Sequence, residues 1–193
     1  LKVHEYLDGI GIGSLYAQYF MKPDFKQEYH DAGPYTFLLW QRCDSIDMNY
    51  LLKIVGAENI KKIIYKGNQP DQSIPAGIEV EVIKHWLEEE EYTELIKSAD
   101  YFIAPRKKEG IGMSFIKALS HGVPVIAFDE ATMNEYVVPD VNGYLCDENP
   151  IQGLKSPRAL SEGLQKHYTE GYNRWRSMEN SLLDFIFNHK KNG

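Results

Sequence analysis

Residues 100–128, DYFIAPRKKEGIGMSFIKALSHGVPVIAF, contain a complete unit of alternating secondary structure. The short apolar run DYFIAP stops at Pro105 and predicts a buried strand. GMSFIKALSHG predicts a helix that ends at Gly122, and VPVIAF predicts a further strand. A strand, a helix and a second strand in so short a segment are typical of a crossover connection between parallel strands.

The same alternation continues on both sides of this unit. YTFLLW, IKKIIYKG, IEVEVI and NGYLCD predict strands, whereas SIDMNYLLKIVG and EEEEYTELIKSA predict helices. Two more helices are predicted near the C-terminus, in SPRALSEGLQKHY and GYNRWRSMENSLLDFIFNH. We therefore predict an α/β fold class, with a Rossmann-like, mostly parallel sheet flanked by helices.

The first 35 residues do not follow this pattern. GIGIGSLYAQYF is compatible with a glycine turn that opens a helix or with a plain loop, and MKPDFKQEYHDAGP has the composition of an irregular connector. We predict that residues 1–35 are a connector or the remnant of a preceding domain. Residues 36–193 are predicted to form one Rossmann-like domain with C-terminal helices.

Composition and charge exclude some functions. The 193-residue chain carries a formal net charge of −7, which argues against binding bulk nucleic acid through overall charge. No apolar run approaches the roughly 20 residues that span a bilayer. Cys43 and Cys146 lie far apart and fit a reducing compartment, so we expect a cytoplasmic protein, with contact to a membrane surface left open. Neither an Asp-x-Asp motif nor Cys/His ligand spacing occurs, so no metal and no cofactor are expected.

The loop before the helix of residues 100–128 has the features of a phosphate site. Gly110 and Gly112 let the backbone turn tightly and bring amide groups close to a ligand. The following helix offers N–H groups without intrahelical partners and a partial positive charge, which favour a phosphate. Glu109 is a poor phosphate ligand, but it accepts hydrogen bonds from hydroxyl groups such as those of a sugar. A nucleotide sugar or a sugar phosphate is therefore a candidate ligand, and a helix start without function is the alternative. Three cations could add positive charge here: Arg106, Lys107 and Lys108.

Residues 98–137 resemble the C-terminal, donor-binding domain of retaining GT-B glycosyltransferases of family 4. In that family a Glu-Gly-x-Gly turn precedes a helix with a second glutamate, a Gly-x-Pro-Val-Ile-Ala strand and a further glutamate. The matching residues here are Glu109–Gly112, Gly122–Ala127 and Glu135. The resemblance is strong over residues 98–150, fair from Tyr35 to the end, and absent before Tyr35.

The resemblance implies roles for particular residues. Glu109 would accept hydrogen bonds from the donor sugar, and Arg42 would stabilise the departing diphosphate. The backbone of the loop would hold that diphosphate through Gly110, Ile111, Gly112, Met113 and Ser114. The family's base-contacting turn aligns with IKHWL, so the nucleobase pocket would be lined by Lys84, His85 and Trp86. From the sequence alone, all three tryptophans are expected in the core or at its edge rather than as stacking platforms: Trp40, Trp86 and Trp175. The alignment gives Trp86 alone an alternative role in the pocket.

Two functional positions depart from the family pattern. Asp47 stands where the family has a lysine that also stabilises the diphosphate, and Lys117 stands where an acid binds the ribose hydroxyls. One hypothesis is that Lys117 restores the missing positive charge near the diphosphate at the cost of ribose recognition, because an ammonium can only donate hydrogen bonds. The alternative is that Lys117 points to solvent. The candidate catalytic residues are thus Arg42, Glu109 and Lys117.

The resemblance implies the donor half of a glycosyltransferase, hexosyltransferase-like and active in carbohydrate biosynthesis. It would transfer a sugar with retention from a nucleotide-diphosphate sugar to an acceptor hydroxyl, on a glycan or another molecule. The acceptor would bind a separate N-terminal domain that this chain lacks, so the chain would be part of a larger enzyme. Two alternatives are open: a non-catalytic nucleotide- or sugar-binding module, and a sugar-nucleotide epimerase of the related GT-B type.

Overall fold

Six parallel strands form one sheet within residues 2–67 and 74–188, which the computed structural model describes. The spatial order is β3-β2-β1-β4-β5-β6. The strands are β1 (Tyr35–Trp40), β2 (Ile60–Lys66), β3 (Glu79–Ile83), β4 (Tyr101–Ile103), β5 (Val125–Phe128) and β6 (Gly143–Cys146). The helices are α1 (Lys2–Gly9), α2 (Met48–Val55), α3 (Glu89–Ser98), α4 (Met113–Ser120), α5 (Met133–Tyr136) and α6 (Pro157–Asn188). The predicted α/β class, with a Rossmann-like parallel sheet, is confirmed.

Both faces of the sheet are covered near its centre, which explains why the central strand β1 is almost continuously apolar, whereas the edge strand β3 alternates. Successive side chains of a strand point to opposite faces. Phe37 and Leu39 of β1 pack on one face in a cluster that contains Leu51 of α2. Leu38, between them, belongs to the cluster on the other face, with Phe115 of α4. Helices therefore cover both sides of the central strand.

The C-terminal region forms one continuous helix, so the prediction of two helices there was wrong. Gly171, the first residue of the second predicted helix, lies inside α6. A Cβ atom at this position would overlap the ring of Phe20. Glycine lowers helix stability by roughly 1 kcal/mol relative to alanine, but here close packing requires it. The sequence signal for a helix end was in fact a signal for a tight contact.

The segment before β1 packs on the rest of the molecule. Its helix, α1, precedes the glycine-rich stretch, so the glycines do not open a helix, and residues 12–34 are irregular. Phe20 is 2% exposed, and its ring lies 5.2 Å from the rings of both Tyr136 and Tyr168. The backbone N–H of Asp24 donates to the carbonyl of Ser120 at 2.8 Å. These contacts bring the segment against α4, α5 and α6.

Candidate functional site

A cavity of about 470 Å³ opens beyond the carboxyl ends of the strands, beside β1 and β4. The connections from β1 lead to β2 on one side, whereas β4 pairs with the other side of β1. Such a reversal of strand order leaves a crevice in which open α/β sheets bind ligands. The wall of this cavity carries cations and carboxylates from several elements: Arg42, Arg106, Lys117, Glu89 and Glu109.

The structure brings most of the predicted site residues together. The following line the cavity: Arg42, Trp86, Glu109, Ile111, Met113, Ser114 and Lys117. Gly110 lines a smaller neighbouring cavity of about 210 Å³, which shares Ile111 with the first. Lys84 and His85 are exposed and do not line the cavity. The His85 ring instead places Nε2 2.6 Å from Oε1 of Glu91.

The glycine turn sets the start of α4 against the cavity. Gly112 is the residue before the helix, and it provides no side-chain cap for the first-turn amides. A Cβ atom there would overlap the ring of Phe115 and lie 2.8 Å from Oε2 of Glu109. Met113 and Ser114, which begin the helix, line the cavity. The N–H group of Met113 donates to the carbonyl of Ile111 at 3.0 Å, so the N–H groups that follow it in the first turn and the positive end of the helix dipole are the groups that can bind an anion.

Glu109 is a half-buried carboxylate beside two cations. Burial raises the pKa of Glu109 above its usual value, and the positive charges of Arg106 and Arg42 offset part of that rise. The carboxylate is therefore close to both guanidinium groups while remaining partly shielded from water. A carboxylate in this position can accept hydrogen bonds from ligand hydroxyl groups.

Arg42 is stacked on an aromatic side chain rather than extended freely into solvent. Its Cζ atom lies 3.9 Å from the centroid of the Trp40 ring. Trp40 packs edge-on against Tyr92, with the ring centroids 5.2 Å apart. Trp40 lines the cavity and supports a cation, so the expectation that it is not a stacking platform was wrong. Stacking on a ring face restrains the long arginine side chain before a ligand arrives.

The hydroxyl of Tyr92 is buried without a hydrogen-bond partner among the described residues. Such groups are uncommon in proteins and call for an explanation. Burial raises the pKa of Tyr92, so the hydroxyl remains a neutral donor. Tyr92 also lines the cavity.

Lys117 is buried and bound to a residue that sequence analysis assigned only to a helix start. Lys117 is 6% exposed, so the alternative that it points to solvent is wrong. Its Nζ lies 2.5 Å from Oε1 of Glu89 and 5.0 Å from the centroid of the Tyr92 ring. Glu89 is the first residue of α3 and lines the same cavity. One feature of the sequence points to Glu89 as a site residue: it is a carboxylate that follows the end of the parallel strand β3.

The three cations after β4, Arg106, Lys107 and Lys108, have different surroundings. Arg106 lines the cavity. Lys107 lies 3.4 Å from Glu148, and Lys108 lies 3.5 Å from Glu130, measured between charged atoms. Of the three cations in this loop, Arg106 alone lines this cavity.

Asp47 caps a helix. Its carboxylate accepts a hydrogen bond from the backbone N–H of Tyr50 at 2.8 Å, at the N-terminus of α2. Asp47 is not among the residues that line the cavity. Asp47, which stands where the resemblance implies a lysine, therefore stabilises the start of α2 in this chain.

This capping role predicts how substitutions of Asp47 behave. Asp47→Ala removes the cap and is expected to lower the free energy of unfolding by about 1 kcal/mol, whereas Asp47→Asn should leave it nearly unchanged, because asparagine caps as well as aspartate. Urea unfolding of the two variants measures the difference. Equal losses in both would show that the negative charge matters rather than the cap.

Residues 2–67 and 74–188 contain neither a candidate metal cluster nor a candidate membrane-spanning helix. No group of three His, Cys, Asp or Glu side chains there could hold a metal ion. No helix in these ranges is long and apolar enough to cross a bilayer. The expectation that no metal is needed remains a prediction.

The fold and the cavity together define a GT-B type C-terminal domain. Residues 41–169, more than half of the chain, match the sequence profile of Glycosyl transferases group 1. The chain belongs to this family. Membership supports glycosyl transfer as the general chemistry of the domain.

Solved structures with the same fold are distant in sequence. TarM matches with a TM-score of 0.57 and 12% identity, over 97% of this chain and 42% of that one. A TarM variant from S. aureus was solved in complex with Fondaparinux, alpha-GlcNAc-glycerol and UDP. It matches with a TM-score of 0.52 and 12% identity, over 90% of this chain and 36% of that one. The GtfA/B complex matches with a TM-score of 0.50 and 15% identity, over 88% of this chain and 37% of that one. The chain thus spans well under half the length of these structures. No curated protein sequence matches it significantly.

Proposed function

We propose that this chain is the donor-binding half of a retaining glycosyltransferase, which transfers a sugar from a nucleotide-diphosphate sugar to an acceptor hydroxyl. One observation carries the proposal. Arg42, Arg106, the uncapped start of α4 and the carboxylate of Glu109 border one cavity. Cations and backbone amides fit a diphosphate, and an adjacent carboxylate fits the hydroxyl groups of a sugar.

In this arrangement the residues act mainly on the leaving group. As the bond from the sugar to the β-phosphate breaks, negative charge develops on the diphosphate. Arg42, which is already stacked on Trp40, and the first-turn amides of α4 would stabilise that charge. Glu109 would orient the sugar by accepting from its hydroxyl groups. The new bond to the acceptor oxygen would form on the face from which the diphosphate leaves, and the acceptor proton would pass to the oxygen of the leaving diphosphate.

The acceptor and its binding domain belong to the same proposal. The similar structures are more than twice as long as this chain, which supports a larger enzyme of which it is one part. The S. aureus TarM variant is in complex with UDP and alpha-GlcNAc-glycerol, which supports a nucleotide donor and a hydroxyl-bearing acceptor. We place the donor domain at residues 36–193, with residues 1–35 as the connector, and we expect a cytoplasmic enzyme of carbohydrate biosynthesis.

A second candidate is a non-catalytic nucleotide- or sugar-binding module. Two observations favour it: Asp47 serves as a helix cap, and Lys117 is neutralised by Glu89. Both candidates require the same donor pocket. They differ in whether a bound sugar nucleotide is consumed when an acceptor is supplied with the full enzyme.

Calorimetric titration with UDP, GDP, ADP and matching sugar nucleotides tests the donor site. We expect one nucleotide to bind, with EDTA present, because cations and amides of the protein supply the positive charge. We also expect Glu109→Ala to weaken binding of the sugar nucleotide but not of the nucleotide alone. Absence of binding by every nucleotide would overturn the proposal.

A further inference from the structure

Two groups of residues with different chemistry line the cavity. Glu109, Arg106 and the start of α4 supply charges and backbone amides. The segment after β3 and the first turn of α3 contribute Trp86, Glu89 and Tyr92. Trp86 is 75% exposed, so the expectation that it lies in the core or at its edge was wrong, and its indole face is open to a ligand. Aromatic faces of this kind stack well on nucleobases.

Lys117 lies one turn further along α4 than the residues at its start. A turn of helix advances about 5.4 Å, which is comparable to the step from a phosphate to the ribose of a nucleotide. If the diphosphate lies at Met113 and Ser114, the ribose is then level with Lys117. The ammonium of Lys117 cannot accept a hydrogen bond. The group next to it that can accept is the carboxylate of Glu89, 2.5 Å away.

The ion pair holds this carboxylate in place and leaves part of it open. The side chain of Lys117 is 8% exposed and that of Glu89 is 78% exposed. Lys117 binds Oε1 of Glu89, and Oε2 has no hydrogen-bond partner among the described residues. A buried cation therefore anchors one oxygen of an exposed carboxylate. The Glu89 side chain is already restrained, so it loses less conformational entropy on binding than a free surface glutamate would.

We infer that Glu89, positioned by Lys117, accepts hydrogen bonds from the ribose hydroxyls of the donor nucleotide. The inference rests on the proposed function, because it assumes a nucleotide diphosphate at the start of α4. It replaces the hypothesis that Lys117 itself compensates the diphosphate, since the charge of Lys117 is already paired with Glu89. Ribose recognition is retained in this chain, with the carboxylate supplied by α3 instead of α4.

The test compares each ribonucleoside diphosphate with its 2′-deoxy counterpart. We expect the unmodified chain to bind the ribose form at least about tenfold more tightly than the 2′-deoxy form. Loss of one hydrogen bond to a charged group has an effect of this size. Glu89→Gln should remove most of this preference. Lys117 would bind the amide oxygen, so the NH₂ group would face the ligand and could only donate.

A neighbouring glutamate provides the matched control. Glu90→Gln changes the same residue type in the same first turn of α3, and Glu90 is exposed and does not line the cavity. The ribose preference should be unchanged in this variant. Glu89→Gln is expected to lower the melting temperature, because the buried Lys117 loses its charged partner, whereas Glu90→Gln should leave it unchanged. Nucleotide binding is therefore compared at a temperature at which both variants are folded.

A second variant separates positioning from diphosphate binding. Lys117→Met keeps the volume of the side chain but frees Glu89, so it should reduce the ribose preference and leave the affinity for inorganic pyrophosphate unchanged. Weaker pyrophosphate binding with an intact ribose preference would overturn the inference in favour of direct contact with the diphosphate.

The outcomes also distinguish the inference from the proposed function. If no nucleotide binds the unmodified chain, the donor site is absent and both are overturned. If a nucleotide binds but its ribose preference survives in Glu89→Gln, the inference alone is overturned.

Discussion

Replacing Arg42 with methionine is expected to slow turnover of the donor by roughly 10²–10³-fold, the usual cost of removing one group that stabilises charge in the transition state. The guanidinium is held 3.9 Å above the Trp40 ring in a cavity that also contains the start of α4. It is therefore in place before the leaving diphosphate acquires its charge. Release of nucleoside diphosphate from the sugar nucleotide measures the effect, in the full enzyme with acceptor.

The matched control is Arg158→Met. Arg158 is also an exposed arginine, but it lies at the start of α6 and outside this cavity. Its replacement should leave turnover unchanged. Arg42→Lys should give an intermediate result, because lysine keeps the charge but lacks the planar group that stacks and binds phosphate with two donors. Turnover that is equal in Arg42→Met and the unmodified enzyme would exclude Arg42 from the reaction.

The sheet could be predicted because its strands are buried on both faces. Continuous apolar runs such as YTFLLW and VPVIAF are typical of central parallel strands, and turn residues separate them from helices with a different period. Gly56 and Gly122 follow the ends of α2 and α4 as the sequence indicated, with φ angles of 84° and 77°. These signals are local, and so they are visible without the structure.

The composition of the site depended on contacts between distant parts of the chain. Glu89 and Lys117 are 28 residues apart and meet because α3 and α4 border the same crevice. Nothing in either segment alone shows that an exposed glutamate at a helix start is bound to a buried lysine. The stacking of Arg42 on Trp40 was likewise hidden, because the same tryptophan fits equally well as a core residue.

A glycine near a predicted helix boundary can either end the helix or allow close packing inside it, and only the tertiary contacts distinguish the two. Gly122, the second residue after the end of α4, adopts a left-handed conformation that helps to end the helix. In α6 Gly171 continues the helix because the ring of Phe20 occupies the space of a side chain. Helix-ending and close-packed glycines look alike in sequence, so the C-terminal boundary could not be predicted.

Glu109→Gln is expected to weaken binding of the donor sugar nucleotide by roughly tenfold to hundredfold while leaving binding of the nucleoside diphosphate nearly unchanged. The carboxylate would accept hydrogen bonds from the sugar, and bonds to a charged group contribute about 1.5–3 kcal/mol each. Calorimetric titration of both ligands gives the two affinities. Equal weakening of both would place Glu109 at the diphosphate and contradict the assignment to the sugar.

The same substitution is expected to stabilise the fold at neutral pH. Burial raises the pKa of Glu109 above its unfolded value of 4.5, so the charged form is less favourable in the folded chain than in the unfolded chain. The unfavourable contribution is absent below the unfolded pKa, grows as the pH rises through the interval up to the folded pKa, and is complete above it. The melting temperature of Glu109→Gln should therefore exceed that of the unmodified chain at pH 7, and the difference should disappear near pH 4. Glu94→Gln, an exposed position on α3, should show no such pH dependence. A gain in stability together with a loss of sugar binding would mean that the carboxylate is kept half-buried at the expense of the fold because a ligand needs it there.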